Sequence, residues 1–299
     1  MDDNISQKTH SIDNSIRDKM ALLDKYGDNF FSEKLTIITD FTPYVKYVQI
    51  NLPARTPEHR IVFVRRGTKV LNVSFRDYKL KTGSLLLIPA GSVLINKEQS
   101  EDYNVHSVAF RIPKAESLRL VDFDVMSLQL SSANQRLVDN YISLMRQLAC
   151  DDKADSDGID FLIVSLLYIL QEWNHEQNES VQPERLSRAA ELSTRFVRMI
   201  TSGGIPQRKP AYYADKLGVT KGHLSQIVMN NSGKTVMEWI NEKTLLEAKL
   251  LLSDTDKTLE DIAEDLHLNS ASQFIKFFQK RDGETPNAYR KRAKKIAQT

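Results

Sequence analysis

The feature that most limits the fold of this chain is a helical pattern that occurs twice between residues 210 and 292. Eight residues of the first copy have a counterpart of similar type 49 or 50 positions later. The pairs are Ala214/Ala263, Leu217/Leu266, Leu224/Phe274, Ile227/Phe277, Val228/Phe278, Gly233/Gly283, Thr235/Thr285 and Trp239/Tyr289. Because the offset grows from 49 to 50 after the second pair, the second copy carries one extra residue in its turn. So regular a repeat indicates a duplicated structural unit.

Each copy has the pattern of a helix, a turn and a second helix. In the first copy, Pro210 suits an opening helical turn and Gly218 suits a left-handed helix end. Thr220 can cap the next helix. The apolar residues of that helix recur at i, i+3 and i+4, which predicts one buried stripe. The residues predicted to face outward are Lys221, Gly222, Ser225 and Gln226 in the first copy, and Ala271, Ser272, Ile275, Lys276 and Gln279 in the second.

Two short helices that cross at a small residue, Ala214 or Ala263, favour a helix-turn-helix. This motif sets its second helix into the major groove of DNA. A single copy would fit a plain helical bundle equally well, but two copies in register favour the helix-turn-helix.

Two consecutive runs also carry a family resemblance: LGVTKGHLSQIVMNNSGKTVMEWINEKTLLEAKLLL and TLEDIAEDLHLNSASQFIKFFQKRDGETPNAYRKR. They resemble the DNA-binding domain of the AraC/XylS family of bacterial transcription regulators. The resemblance implies that one long helix, about Val236 to Leu252, joins the two motifs. It implies base contacts from Ser225, Gln226, Ala271, Ser272 and Lys276. The remaining residues expected at the DNA are Lys221, Lys280, Arg290, Lys291 and Arg292.

This chain departs from the family pattern at three positions. Gly222 stands where some members carry a large side chain, so it cannot read a base itself. His267 replaces a glycine that is common at the second turn, and Thr244 replaces a frequent arginine. These differences affect the contact map more than the family assignment.

Charge is unevenly distributed along the chain. Residues 205–299 contain 16 Lys and Arg against 12 Asp and Glu, whereas the preceding residues contain 25 against 27. The segment from Arg290 to Lys295 has five basic residues in six. This asymmetry suits phosphate contact at the C-terminal end. A solvated helix end, where positive charge is also favourable, would give the same pattern.

From about Lys34 to Pro113 the chain contains short β-rich runs separated by turns, which predicts an all-β sandwich or barrel. The stretch RIVFVRRGTKVLNV…LKTGSLLLIPAGSVL is similar to the double-stranded β-helix of the cupin superfamily. Metal-binding cupins supply several histidines, but this motif offers only His59, so we expect no metal and no cofactor. A cupin-like fold without a metal can instead hold a pocket for a small effector. Its candidate residues are Tyr47, Arg60 and Phe63, although such residues in strands are more often simple core or surface.

Residues 132–203 return to helical periodicity, with a predicted apolar stripe in the first helix. Its members are Leu137, Tyr141, Leu144, Met145 and Leu148. Helices of this kind suit a coupling layer and a dimer interface. A single cysteine, Cys150, fits a reducing cytoplasm. The polar start and the short apolar runs predict a cytoplasmic protein without a signal peptide or membrane span.

The sequence therefore predicts an α+β chain in four parts. These are an N-terminal arm (1–32), a cupin-like β-barrel or sandwich sensor (33–125), a helical dimerisation and linker layer (126–204), and an all-α domain with two helix-turn-helix motifs (205–299). We expect a DNA-binding transcription regulator and not an enzyme. Its expected partners are double-stranded DNA, a second copy of the chain, a small-molecule effector and RNA polymerase. The alternatives are a metal-dependent cupin enzyme with a regulatory tail and a helix-turn-helix interaction module without DNA binding.

Overall fold

The computed structural model divides into two compact units. Of the 299 residues, it describes 29–32, 34–48, 50–111, 124–153, 157–179, 188–201 and 204–298. Within these ranges one unit contains the strands, apart from residues 52–54, and the two helices that follow them. The other contains residues 52–54 and the helices from residue 188 onward. The predicted N-terminal arm lies outside the described residues except for 29–32.

The strands form two sheets. They are β1 (Phe30–Phe31), β2 (Leu35–Ile38), β3 (Pro53–Arg55), β4 (His59–Arg66), β5 (Thr68–Val73), β6 (Arg76–Lys81), β7 (Ser84–Ile88), β8 (Val93–Gln99), β9 (Asn104–Phe110) and β10 (Met126–Gln129). The larger sheet has the order β1-β2-β9-β4-β7-β10, with every neighbouring pair antiparallel. The smaller sheet has the order β3-β8-β5-β6.

Alternation along the strands creates two apolar cores. In β4, Ile61 and Phe63 lie on one face of the larger sheet and Val62 and Val64 on the other, because successive strand side chains alternate. The first pair belongs to a core shared with helices. The second pair belongs to a core shared with Leu71 and its neighbours in the smaller sheet. The larger sheet thus lies between the smaller sheet and a helical layer, which is the predicted sandwich.

Nine α-helices also lie within the described residues. They are α1 (Ser132–Leu148), α2 (Asp157–Glu179), α3 (Arg188–Thr201), α4 (Pro210–Leu217), α5 (Lys221–Ser232), α6 (Val236–Asp254), α7 (Leu259–Asp265), α8 (Ala271–Asp282) and α9 (Pro286–Gln298). A 3₁₀ helix at Thr42–Tyr47 and a π-helical turn at Ala149–Lys153 complete the set. Among the described helices, none combines the length and apolar character that a bilayer crossing requires.

The stripe predicted for α1 is correct in part. Met145 is fully buried, and Tyr141 and Leu148 pack against the same core. Leu137 and Leu144 are instead 38% and 44% exposed, and Val138 and Ile142 are fully buried. Both pairs recur at helical spacing, so periodicity alone does not decide between them. Packing on the larger sheet buries the second pair and leaves the two leucines at the surface.

Helix α6 connects two apolar cores in the second unit. Val236 and Ile240, in its first half, lie in the core of the first helix-turn-helix. Ala248 and Leu252, in its second half, lie in the core of the second. The single long helix implied by the family resemblance is therefore present and holds both motifs.

Helix α3 packs with the first helix-turn-helix. Its Phe196 is fully buried, and the rings of Phe196 and Tyr213 of α4 meet edge to face at 5.5 Å. Leu192 and Ile200 belong to the same core. The packing unit therefore begins before residue 205, the domain start expected from the sequence, because the apolar face of α3 is buried in this core.

Candidate nucleic-acid interface

The two helix-turn-helix motifs share the same capping chemistry. In the first, the Thr220 hydroxyl accepts a hydrogen bond from the backbone N–H of His223 and starts α5, which ends at left-handed Gly233. In the second, the Ser270 hydroxyl accepts from the N–H of Gln273 and starts α8, which ends at left-handed Gly283. These caps fix both ends of each candidate recognition helix, since they satisfy backbone groups that the helix leaves open.

The turns of the two motifs differ in one residue type. Gly218 ends α4 with φ 67°, and the N–H of Val219 donates to the carbonyl of Ala214 at 3.0 Å. In the second motif His267 takes the left-handed position with φ 55°, and the N–H of Leu268 makes the equivalent bond at 2.8 Å. A histidine therefore occupies a conformation that favours glycine.

The recognition helices bury one face and expose the other. The buried residues of α5 are Leu224, Ile227 and Val228, and those of α8 are Phe274, Phe277 and Phe278. On the opposite face Gln226, Ser272 and Lys276 are exposed, whereas Ser225 and Ala271 are half-buried. The Ser225 hydroxyl donates to the carbonyl of Lys221 at 2.9 Å, so its donor is used within α5. Gln226 and Lys276 occupy the same place in the two helices, since they are separated by the repeat offset of 50 residues.

The basic residues expected at the DNA fall into two groups. Lys221, Lys276, Lys280 and Lys291 are exposed, and no carboxylate in the described residues pairs with them. Arg290 instead donates to the backbone carbonyl of Lys257. Arg292 forms a hydrogen-bonded ion pair with Glu284, and this hydrogen bond raises the pKa of the Arg292 guanidinium. The four lysines are therefore the cations most available for phosphates or bases.

Three exposed residues of the same faces were not among the predicted contacts. His223 lies in the first turn of α5, and Met229 and Asn230 lie in its last turns. The repeat offset pairs Asn230 with Lys280, which was predicted. The same offset would therefore have identified Asn230 from the sequence.

The structure places two of the predicted effector residues, Arg60 and Phe63, on opposite faces of β4. The Tyr47 side chain lies outside the described residues. Arg60 faces the interior between the two sheets, because it lies on the same side of β4 as Val62. Phe63 lies on the opposite side and is fully buried towards the helices.

A residue that sequence reasoning missed, Lys69 of β5, does share the interior with Arg60. It is 8% exposed, donates to Gln99 Oε1 at 3.0 Å and lies 4.9 Å from the centre of the Tyr103 ring. Burial, followed by the charge of Arg60, lowers the pKa of Lys69 to about 8. In the described residues no cluster of His, Cys, Asp or Glu could hold a metal ion.

Comparison with known proteins places the similarity in the second unit. A family model described as a helix-turn-helix domain matches residues 213–292. The probable transcription factor PqrA of Proteus vulgaris is 34% identical over 77 residues, which are 26% of this chain and 63% of that protein. The regulatory protein SoxS of Salmonella typhimurium is 33% identical over 79 residues, which are 26% of this chain and 74% of SoxS. The match thus spans less than two thirds of PqrA.

Solved structures also match parts of this chain. A ToxT structure from Vibrio cholerae has 13% sequence identity and a TM-score of 0.41, and the match covers 87% of this chain and 97% of that one. The C-terminal domain of AraT, a response regulator from Geobacillus stearothermophilus, has 23% identity and a TM-score of 0.32. That match covers 36% of this chain and 88% of the AraT domain.

Proposed function

Because the chain belongs to the AraC/XylS family of transcription regulators, we propose that its second unit binds promoter DNA sequence-specifically, with α5 and α8 as recognition helices. One observation carries this proposal: Gln226 and Lys276 occupy equivalent exposed positions on the two helices. Glutamine can pair with adenine and lysine with guanine in the major groove. The names of the two relatives describe regulators and not enzymes.

The length of α6 sets the scale of the DNA site. Its 19 residues span roughly 28 Å at about 1.5 Å per residue. One turn of B-DNA advances about 34 Å, so two motifs held at the ends of such a helix suit successive major-groove segments on one face. The exposed lysines then supply phosphate contacts that depend on salt but not on sequence.

The test is selection of the purified full-length protein against random duplexes at two salt concentrations, with sequencing of the retained DNA. Two enriched boxes about one helical turn apart are expected. Retention without enrichment that disappears at higher salt would show phosphate attraction only. No retention at either salt concentration would favour the interaction-module alternative.

A homodimer through α1 and α2 is the second part of the proposal. The Tyr141 hydroxyl lies 2.8 Å from Ser165 Oγ and joins the outer sides of the two helices. Leu137 and Leu144 lie one turn on either side of Tyr141, and Phe161 lies one turn before Ser165. Phe161 is 70% exposed. The three apolar residues therefore share one surface, and large apolar side chains clustered in this way suit a protein interface.

Sedimentation of full-length Phe161→Ser tests the dimer. The substitution is expected to shift the equilibrium towards monomer, while Glu172→Ser, an exposed control on the same helix, leaves it unchanged. Equal dimer stability in wild type and Phe161→Ser would exclude this surface. Contact with RNA polymerase stays a prediction from the family resemblance.

The first unit is proposed to sense a small anion. Lys69, which donates to Gln99, and the half-buried Arg60 bring two cations to the space between the sheets, and no carboxylate in the described residues pairs with either. The Arg60 Nε atom is buried without a hydrogen-bond partner. Buried charges of one sign are costly unless an opposite charge joins them. A carboxylate with an apolar body supplies that charge and also fits the surrounding core.

Thermal unfolding with benzoate and with benzamide tests the sensor. Benzoate is expected to raise the melting temperature, because it binds the folded state, whereas uncharged benzamide is not. Lys69→Met should remove the benzoate effect. Equal shifts with both compounds, or no shift with a panel of small carboxylates, would contradict an anion site.

A further inference from the structure

The middle of α6 is polar although it is buried. Lys243 and Glu247 are 1% and 5% exposed and form an ion pair at 2.9 Å, and Thr244 beside them is fully buried. The apolar cores of the two helix-turn-helix motifs lie on either side of this polar section. Leu245 and Leu246 pack in the same section. Hydrogen bonds and charges therefore accompany apolar packing there, and the relative orientation of the motifs depends on directional contacts as well.

Arg208 adds a third element to this junction. It lies in the segment that precedes α4, two residues before Pro210, and is half-buried. Its Nη1 donates to Thr244 Oγ1 at 3.1 Å and its Nη2 donates to Asn241 Oδ1 at 3.3 Å. These acceptors are one turn apart on α6, so the planar guanidinium holds the entry to the first motif against the connecting helix.

The same guanidinium also reaches the second recognition helix. It lies 5.1 Å from the centre of the Phe277 ring, which belongs to the buried stripe of α8. Arg281 lies 4.4 Å from the same ring, and burial together with the charge of Arg281 lowers the pKa of Arg208. Three residues before Arg208, Ile205 packs against the core of the second motif.

We propose that Arg208 is a positioning residue that fixes the orientation of α8 relative to α5 and so sets the spacing of the two DNA boxes. It joins the start of the first motif, the connecting helix and the second recognition helix through one side chain. This inference rests on the proposed DNA binding.

Replacement of Arg208 is expected to change the affinity for DNA with two boxes and not the affinity of either motif for a single box. A duplex with one box engages one recognition helix, and its affinity does not depend on how the motifs are oriented. A duplex with two boxes binds most tightly when the motifs have the correct orientation, and its affinity falls when the spacing of the boxes changes by one base pair. Loss of Arg208 is therefore expected to reduce the preference for spacing and to leave single-box binding intact.

The experiment uses the full-length protein and the boxes obtained by selection. Four proteins are compared: wild type, Arg208→Ala, Arg208→Lys and the control Lys209→Ala. Each is titrated with one-box duplexes and with two-box duplexes. The two boxes are set at the preferred spacing and at spacings that are one or two base pairs longer or shorter. Lys209 is the exposed neighbour, and its side chain makes no capping hydrogen bond. Arg208→Lys keeps the charge but not the two-pronged geometry.

For Arg208→Ala we expect about a tenfold loss on the preferred two-box duplex, which is the effect of one to two weak polar contacts. The loss at shifted spacings should be smaller, so the preference flattens, with Arg208→Lys intermediate and Lys209→Ala unchanged. An unchanged spacing preference in Arg208→Ala overturns the inference, as does an equal loss on one-box duplexes. If wild type selects no motif at all, the proposed function fails and the inference fails with it.

Discussion

The left-handed histidine in the second turn allows a stability prediction with a built-in control. His267 has φ 55°, and a residue with a Cβ atom in this region costs about 1–2 kcal/mol. Its side chain is exposed, so replacement by glycine removes no packing. Glycine also stabilises the unfolded chain by roughly 0.5 kcal/mol, which offsets part of the gain. His267→Gly is therefore expected to stabilise the second unit by about 1 kcal/mol.

The first turn supplies the reverse experiment. Gly218 has φ 67°, and a Cβ atom built there meets nothing within 4 Å, so a side chain would be strained by conformation and not by collision. Gly218→His should destabilise by about 1 kcal/mol, and the double variant should return to wild-type stability, since separate sites add to within ~0.5 kcal/mol.

Tryptophan fluorescence can isolate the relevant transition. The chain has two tryptophans, Trp173 in α2 and Trp239 in α6. In a Trp173→Phe background, denaturation monitored at Trp239 reports the second unit. A gain of 1 kcal/mol corresponds to about 4 °C in a unit of this size. If His267→Gly were neutral or destabilising while Gly218→His destabilised, the strain argument for His267 would be refuted.

Three other predictions concern charge. Lys276→Ala should lose discrimination at one base position. Lys291→Ala should weaken the binding of all duplexes alike and reduce the salt slope by about 1. Unchanged binding of Lys276→Ala to specific and random DNA would disprove the role of Lys276. Hydrogen bonds from Thr235 lower the pKa of the Glu238 carboxyl, so its contribution to stability is present at neutral pH and is lost as pH falls through the folded-state pKa. Thermal melts from pH 7 to 3 should show a smaller loss of stability in Glu238→Gln than in wild type, since the other carboxyls with lowered pKa values still titrate. Since the pKa of Lys69 falls to about 8 from 10.5, the unfolded state binds more protons between these values. Stability should therefore rise with pH there, and Lys69→Met should abolish the rise in denaturant titrations.

The recognition helices could be predicted because every signal for them is local. Thr220 and Gly233 delimit α5, and the apolar spacing between them identifies the buried face. The repeat then supplies the same information a second time for α8. The complete buried face of α1 could not be predicted, because Val138 and Leu137 both belong to sets with helical spacing and only the sheet decides which set is buried.

The contacts of Arg208 and Lys69 could not be predicted from the sequence, because their partners are distant along the chain. Arg208 meets acceptors 33 and 36 residues away, and Lys69 meets Gln99 at a distance of 30 residues. No periodicity relates such positions. In contrast, strand alternation would have separated Arg60 from Phe63, since residues three apart in a strand face opposite sides.

The equivalent positions of Gln226 and Lys276 give the DNA site a direction. Two motifs repeated within one chain are not related as the halves of a symmetric dimer are, and here they carry different chemistry at the same place, a neutral amide and an ammonium group. Exchanging the two boxes would present each helix with the bases that the other reads. Under the proposed base contacts, a single chain therefore distinguishes a site from its reversed copy and binds it in one polarity.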